Sequence, residues 1–262
     1  MPAELSPIDK AKSAAAKRAV GFVQDGMRVG LGTGSTAAWM VKALGERVRD
    51  EGLRIKGVPT STRTADLARE EGIEVVTLDE AKWLDLTIDG TDEFDSNLNL
   101  IKGGGGALLQ EKIVATASDQ MIVIADAGKE VSQLGAFPLP IEVIRFGWQT
   151  TKALIEELLV SLDVLGQTTT LRMNRTEPYL TDEGNYILDL HLQRIGNARQ
   201  LALVLNQVPG VVENGLFIDI CDIVIIGHGD GKVELRDINA GSVANERVEF
   251  AENENVFADL GD

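Results

Sequence analysis

Apolar residues along this chain fall into two spacings. Short continuous runs, rich in Val, Ile and Leu and bounded by Gly, Pro or Asp, predict strands near residues 28–31, 54–58, 74–78, 84–89 and 121–125. Between them lie segments with helical spacing and helical ends. Ser6-Pro7-Ile8-Asp9 supplies an N-cap, a first-position proline and an acid in the first turn, so a helix is expected to run to about Gln24 and stop at Asp25-Gly26. Further helices are expected from the turn Gly32-Thr33-Gly34-Ser35-Thr36 to about Arg49, over 63–71 and over 107–117. Strands alternating with helices imply crossover units, hence a parallel sheet covered on both faces.

The pattern changes near Gln133. Strand-like segments at 139–145, 168–173 and 186–192 accompany helices at about 147–159 and 197–206, with Asp182-Glu183-Gly184-Asn185 as a turn. This predicts a smaller α+β unit over 132–207. Strands at 222–226 and 232–236 would return to the first sheet, giving a first unit of 1–131 plus 208–238. From Asn239 six acids stand against Arg247 alone, so 239–262 is expected to be an extended or disordered acidic tail.

A formal charge of −16 argues against non-specific nucleic-acid binding, so any anionic ligand must be held by local lysines, backbone N–H groups and helix N-termini. The one cysteine, Cys221, lies in a mostly apolar segment and permits no internal disulfide. No apolar run approaches the length of a membrane span, and the first 25 residues lack the apolar core of a secretion signal. A cytoplasmic protein without membrane association is expected.

Three glycine-flanked motifs carry candidate chemistry. Gly30-Leu31-Gly32-Thr33-Gly34-Ser35-Thr36 joins a strand to a helix, where backbone N–H groups and the hydroxyls of Thr33, Ser35 and Thr36 suit a phosphate. It formally matches a dinucleotide fingerprint, but the next strand ends in Val58-Pro59-Thr60-Ser61 with no carboxylate for a ribose. Ile88-Asp89-Gly90-Thr91-Asp92-Glu93 gathers three carboxylates at the carboxyl end of a strand, where open α/β sheets bind ligands. Crowding there raises some carboxyl pKa values, which suits proton transfer. A Mg²⁺ site and a solvated acidic turn remain alternatives, the metal disfavoured by nearby Lys102. Lys102-Gly103-Gly104-Gly105-Gly106 leads into another helix carrying Glu111, which faces the same cleft, pairs with Lys112 or meets water. His191 alternates with Leu190 and Leu192 and reads as structural.

Taken together and in this order, G-L-G-T-G-S-T, D-G-T-D-E and I-K-G-G-G-G-A-x-x-x-E-K resemble the type A ribose-5-phosphate isomerases. The resemblance extends through Ala125-Asp126-Ala127-Gly128-Lys129 and Phe137-Pro138-Leu139-Pro140 and spans about residues 8 to 237. It implies a Rossmann-like parallel-sheet domain with a smaller ferredoxin-like α+β domain and no cofactor or metal. It also implies a homodimer or homotetramer acting on a sugar phosphate in the non-oxidative pentose phosphate pathway. By motif match Glu111 is the implied general base. Asp89 and Asp92 are the acids handling hydroxyls and ring opening, and Lys102 is the active-site cation. Lys12, Thr33, Gly34, Ser35, Thr36, Gly90, Thr91, Gly103, Gly104, Gly105 and Lys129 are implied to bind substrate. Composition alone does not separate Lys12 from Lys10 and Lys17. Thr91 stands where the family usually has Ala, and Gly106 lengthens the glycine run. A sugar-phosphate sensor of the same fold would keep the phosphate loop without the base. A related sugar-phosphate deaminase or lactonase is the other rival.

Overall fold

The computed structural model describes residues 5–248. Its centre is an eight-stranded sheet built from the N-terminal alternation. Helix α1 (Pro7–Val20) is capped by Ser6, whose Oγ accepts from Asp9 N at 3.1 Å. It stops four residues earlier than expected, where the chain passes at Gly21 into tighter i→i+3 turns through Val23. Then come β1 (Arg28–Leu31), α2 (Ser35–Asp50), β2 (Lys56–Pro59), α3 (Thr62–Glu70) and β3 (Glu74–Val75). The expected strand 74–78 is cut short because Thr77 and Glu80 form a reciprocal capping box that starts the short helix α4 (Leu78–Ala81). Strand β4 (Leu86–Gly90) follows. Two short strands that apolar spacing did not reveal, β5 (Glu93–Phe94) and β6 (Leu100–Ile101), lead to α5 (Leu108–Thr116) and β7 (Met121–Asp126).

Next are β8 (Leu139–Val143), α6 (Trp148–Leu159), β9 (Thr168–Leu171), a hairpin of β10 (Met173–Asn174) and β11 (Glu177–Pro178), β12 (Tyr186–His191), α7 (Ala198–Leu205) and β13 (Val211–Asn214). Strands β8, β9, β12 and β13 form an antiparallel sheet in the order β13-β8-β12-β9, the arrangement of a ferredoxin-like βαββαβ unit. The chain therefore rejoins the first sheet later than residue 208. Val211–Asn214 still belongs to the small sheet, and β14 (Leu216–Phe217) pairs with β6.

Strands β15 (Ile223–Gly227), β16 (Lys232–Asp237) and β17 (Ser242–Arg247) complete the large sheet, ordered β17-β16-β15-β7-β4-β1-β2-β3. β15 through β3 run parallel, and β16 and β17 add an antiparallel edge. The acidic segment thus begins as an edge strand, where Glu246 pairs with Arg18 across 2.6 Å. Residues 249–262 of the expected tail lie outside the described residues. The fold is α/β, a mostly parallel central sheet with small antiparallel sheets beside it. One apolar core lies between that sheet and α1 and α2, and a second fills the space around the small sheet.

Candidate active site

Two of the glycine-flanked motifs lie at the carboxyl ends of parallel strands β1 and β4, the third follows β6 of a small antiparallel sheet, and together they enclose one cleft of about 370 Å³. Helix α1 contributes Ile8 and, one turn on, Lys12. The α2 end contributes Thr33, Gly34, Ser35 and Thr36, the β4 end Gly90, Thr91 and Asp92, and the glycine run Lys102, Gly103 and Gly105. Glu111 lies at the back, and Asp126, Gly128 and Lys129 close the far side.

The α2 N-terminus carries no side-chain cap, since Gly34 occupies that position. Its first N–H groups therefore face the cleft as an anion site, with Lys12 Nζ 2.9 Å from Ser35 Oγ at its edge. Thr33 differs from expectation. Its hydroxyl lies 2.7 Å from Thr60 Oγ1 and 2.9 Å from Ser61 Oγ, inside a buried hydroxyl cluster. The Thr33 N–H, by contrast, donates to Asp89 Oδ1 at 3.0 Å. This close approach needs Gly32, because a Cβ there would fall 2.1 Å from Asp89 Oδ1.

The three carboxylates of D-G-T-D-E separate. Asp89, expected to handle substrate hydroxyls, is 0% exposed and set back from the residues that line the cleft. The strand end buries it behind Lys102, where Oδ1 accepts the N–H groups of Thr33 and Gly90. Asp92 does line the cleft, and its Oδ2 accepts Gly104 N–H at 2.7 Å. Gly104 itself is not part of the cleft wall, although it was expected to bind substrate. Glu93 points away and accepts the N–H groups of Gly135 (2.8 Å) and Phe137. Thr91 donates to the carbonyls of Glu93 (2.7 Å) and Ile101 (3.0 Å), an internal use for its hydroxyl.

Lys102 is the electrostatic centre. Its ammonium, 2% exposed, lies 2.6 Å from Gly90 O, 3.0 Å from Asp89 Oδ2 and 3.3 Å from Glu111 Oε1. The Gly90 carbonyl accepts a hydrogen bond from it, and the two carboxylates are its ion-pair partners. Burial alone would lower its pKa, but Asp89 and Glu111 together raise it above the ordinary lysine value. Burial raises Asp89, against the pull of Lys102. Glu111 is pushed up to about 8, first by burial and further by Asp89 and Asp92, while Lys102 opposes the rise. Glu111 Oε2 has no hydrogen-bond partner. Lys112, the alternative partner for Glu111, turns to the other side of α5 and pairs with Glu213 at 2.9 Å.

Among the described residues no group of three or more His, Cys, Asp or Glu side chains is placed to hold a metal ion, and no helix is long and apolar enough to cross a membrane. Lys102 sits among the acids where a cation would have to sit. His191 is hydrogen-bonded to Thr170 Oγ1 at 2.9 Å, on the small sheet. Sequence reasoning missed Ile8, Asp126 and Gly128. Ile8 was findable as the residue one turn before Lys12, and Asp126-x-Gly128 as the carboxyl end of another parallel strand.

The family model of ribose 5-phosphate isomerase A (phosphoriboisomerase A) matches residues 56–231. A ribose-5-phosphate isomerase A of Ruegeria pomeroyi is 76% identical over 262 residues, all of both chains. Among solved structures, a D-ribose-5-phosphate isomerase in complex with phospho-erythronic acid is 42% identical and superposes with a TM-score of 0.82 over 88% of this chain and 100% of the other. The ribose 5-phosphate isomerase A of Methanocaldococcus jannaschii is 40% identical, with a TM-score of 0.80 over 87% of this chain and 98% of its own. On its cleft and on likeness along its full length, the chain belongs to the ribose 5-phosphate isomerase A family.

Proposed function

We propose that Glu111 is the base with which this isomerase interconverts ribose 5-phosphate and ribulose 5-phosphate. In the open-chain aldose the C2–H bond breaks, the proton passes to Glu111, and the electron pair moves through C1 onto the carbonyl oxygen as an enediolate. Return of the proton to C1 gives the ketose. One observation carries this reading: a buried carboxylate has one oxygen beside an ammonium and the other without a partner, and it opens on a cleft whose other wall is an uncapped helix N-terminus. A positioned base of this kind is worth ~10²–10⁴ in rate.

Proton transfer moves negative charge from Glu111 to the substrate oxygen while Lys102 stays charged between them, so the net charge of the buried site is unchanged. Asp92, which lines the cleft, exchanges the proton between the two substrate oxygens, and Asp89 holds Lys102 in place. The α2 N-terminus with Lys12, Ser35, Thr36 and Lys129 takes the phosphate. Phospho-erythronic acid carries a phosphate at one end and a planar carboxylate at the other, a charge pattern close to that of the enediolate. It is expected to compete with ribose 5-phosphate here.

The sugar-phosphate substrate and the single buried Cys221 support a cytoplasmic setting. Exposed apolar side chains on the small unit, led by Phe146 at 89%, support self-association as a homodimer or homotetramer, which light scattering measures. The catalytic assignment is tested by following ketose formation from ribose 5-phosphate in EDTA for the parent and Glu111→Gln. The variant is expected to lose at least ~100-fold in kcat with KM little changed. Turnover near that of the parent would remove Glu111 as the base, and binding without turnover by the parent would favour a sensor.

A further inference from the structure

The glycine run is gripped from outside the cleft, by the small unit. Arg172, between β9 and β10, donates from Nη1 to the carbonyl of Gly103 at 2.9 Å and that of Gly104 at 3.1 Å. Its other edge is held by Asp189 on β12, with Nε at 2.9 Å from Oδ2 and Nη2 bonded to Oδ1. The guanidinium is therefore fixed in its plane. Tyr179 Oη donates to the Gly105 carbonyl at 3.3 Å. Its ring also accounts for the extra glycine in the run. A Cβ on Gly106, where φ is +82°, would fall 2.3 Å from Tyr179 Oη.

A trans peptide unit places each carbonyl and the following N–H on opposite sides. With Gly103 O turned to Arg172, the Gly104 N–H faces the other way, and there it meets Asp92 Oδ2 at 2.7 Å. The same rule turns the Gly105 N–H, opposite Gly104 O, away from Arg172. Among the described residues this N–H makes no hydrogen bond, and Gly105 lines the cleft.

We propose that Arg172 is a positioning residue: by anchoring the Gly103 and Gly104 carbonyls it orients Asp92 through the Gly104 N–H and presents the Gly105 N–H to the oxygen that gains charge in the enediolate. This rests on the assignment of the Glu111 cleft as the active site. Arg172 touches no reacting atom. Its effect falls on the transition state, because a donor aimed at developing charge strengthens as that charge appears.

Two variants test it. Arg172→Met with Asp189→Asn removes the anchor without leaving a buried carboxylate unpaired. Arg172→Lys keeps a cation beside Asp189 but cannot span it and both carbonyls. Losing an oxyanion donor outright costs ~10²–10³ in kcat, so a misaimed one is expected to cost about tenfold to a hundredfold in the double variant and less in Arg172→Lys. KM should change less than about threefold, inhibition by phospho-erythronic acid should weaken with kcat, and the acid limb set by Glu111 should stay in place. If both variants keep kcat within about twofold of the parent, the inference falls. It also falls if the acid limb moves with kcat, because the loss then reaches Glu111 directly. Should the double variant fail to fold, Arg172→Lys alone decides. An inactive Glu111→Gln beside fully active Arg172 variants overturns only this inference, whereas an active Glu111→Gln removes the site assignment beneath it.

Discussion

Raising Glu111 to about 8 has a kinetic and a thermodynamic consequence that can be measured on one pair of proteins. A base works only when deprotonated, so activity is lost as pH falls through its pKa. With a pKa about 8, only about a tenth of the free enzyme carries the active carboxylate at pH 7, and kcat/KM should climb nearly tenfold per pH unit from about 6 to 7.5 before levelling. An unperturbed glutamate would level by about pH 5.5. On stability the sign is opposite. The folded pKa lies above the ordinary value of 4.5, so the folded state binds the proton more tightly than the unfolded chain. That stabilisation is fully present below pH 4.5 and is lost as pH rises through about 8. The ceiling is about 5 kcal/mol, because each tenfold gain in proton affinity is worth about 1.36 kcal/mol, and it already includes the opposing charge of Lys102. Glu111→Gln removes the burden, so at pH 8–9 it should be inactive yet melt several degrees above the parent. The assay is kcat/KM against pH at low substrate, with thermal melts of both proteins at pH 5 and pH 9. An acid limb near 4.5 in the parent, or a variant melting no higher than the parent at pH 9, would refute the reasoning.

Lys102→Met leaves Asp89 and Glu111 buried without their shared cation, so it should destabilise by about 3–5 kcal/mol in denaturant melts at neutral pH and abolish turnover. Ser35→Ala removes a hydroxyl beside Lys12 at the anion site, and should raise KM several-fold with kcat nearly unchanged. Gly32→Ala drives a methyl group into Asp89, and should lower both melting temperature and kcat. A variant indistinguishable from the parent would show that the turn yields easily. Cys221, buried and with its thiol pKa raised by burial, should react with a thiol reagent only after unfolding, which a dye titration with and without denaturant reads directly.

The sequence by itself determined the alternation of strand and helix, hence the parallel sheet, because hydrophobic period and capping residues are local signals. It also marked the α2 turn and the glycine run after Lys102 as candidate ligand sites, because glycines at strand-to-helix turns let a ligand approach the backbone, while Glu111 stayed open between cleft, Lys112 and water until the family resemblance implied a base. Very short strands escaped it: β6 and β13 are held by pairing with residues far along the chain and β5 by β6, and two to four residues show no period. The fate of the three carboxylates was equally out of reach. Asp89 lies at the end of β4 and is buried behind the cleft, Asp92 sits in the loop and lines it, and Glu93 opens β5 and turns to Gly135 and Phe137, so their fates follow from three different elements and what packs on each. Only the tertiary structure seats one ammonium between Asp89 and Glu111, residues 22 positions apart, and only it buries Glu111 deeply enough to raise its pKa to about 8 against the pull of that ammonium. Residue type sets what a group is able to do, while desolvation and the distance to other charges set its protonation, and those belong to the folded chain alone.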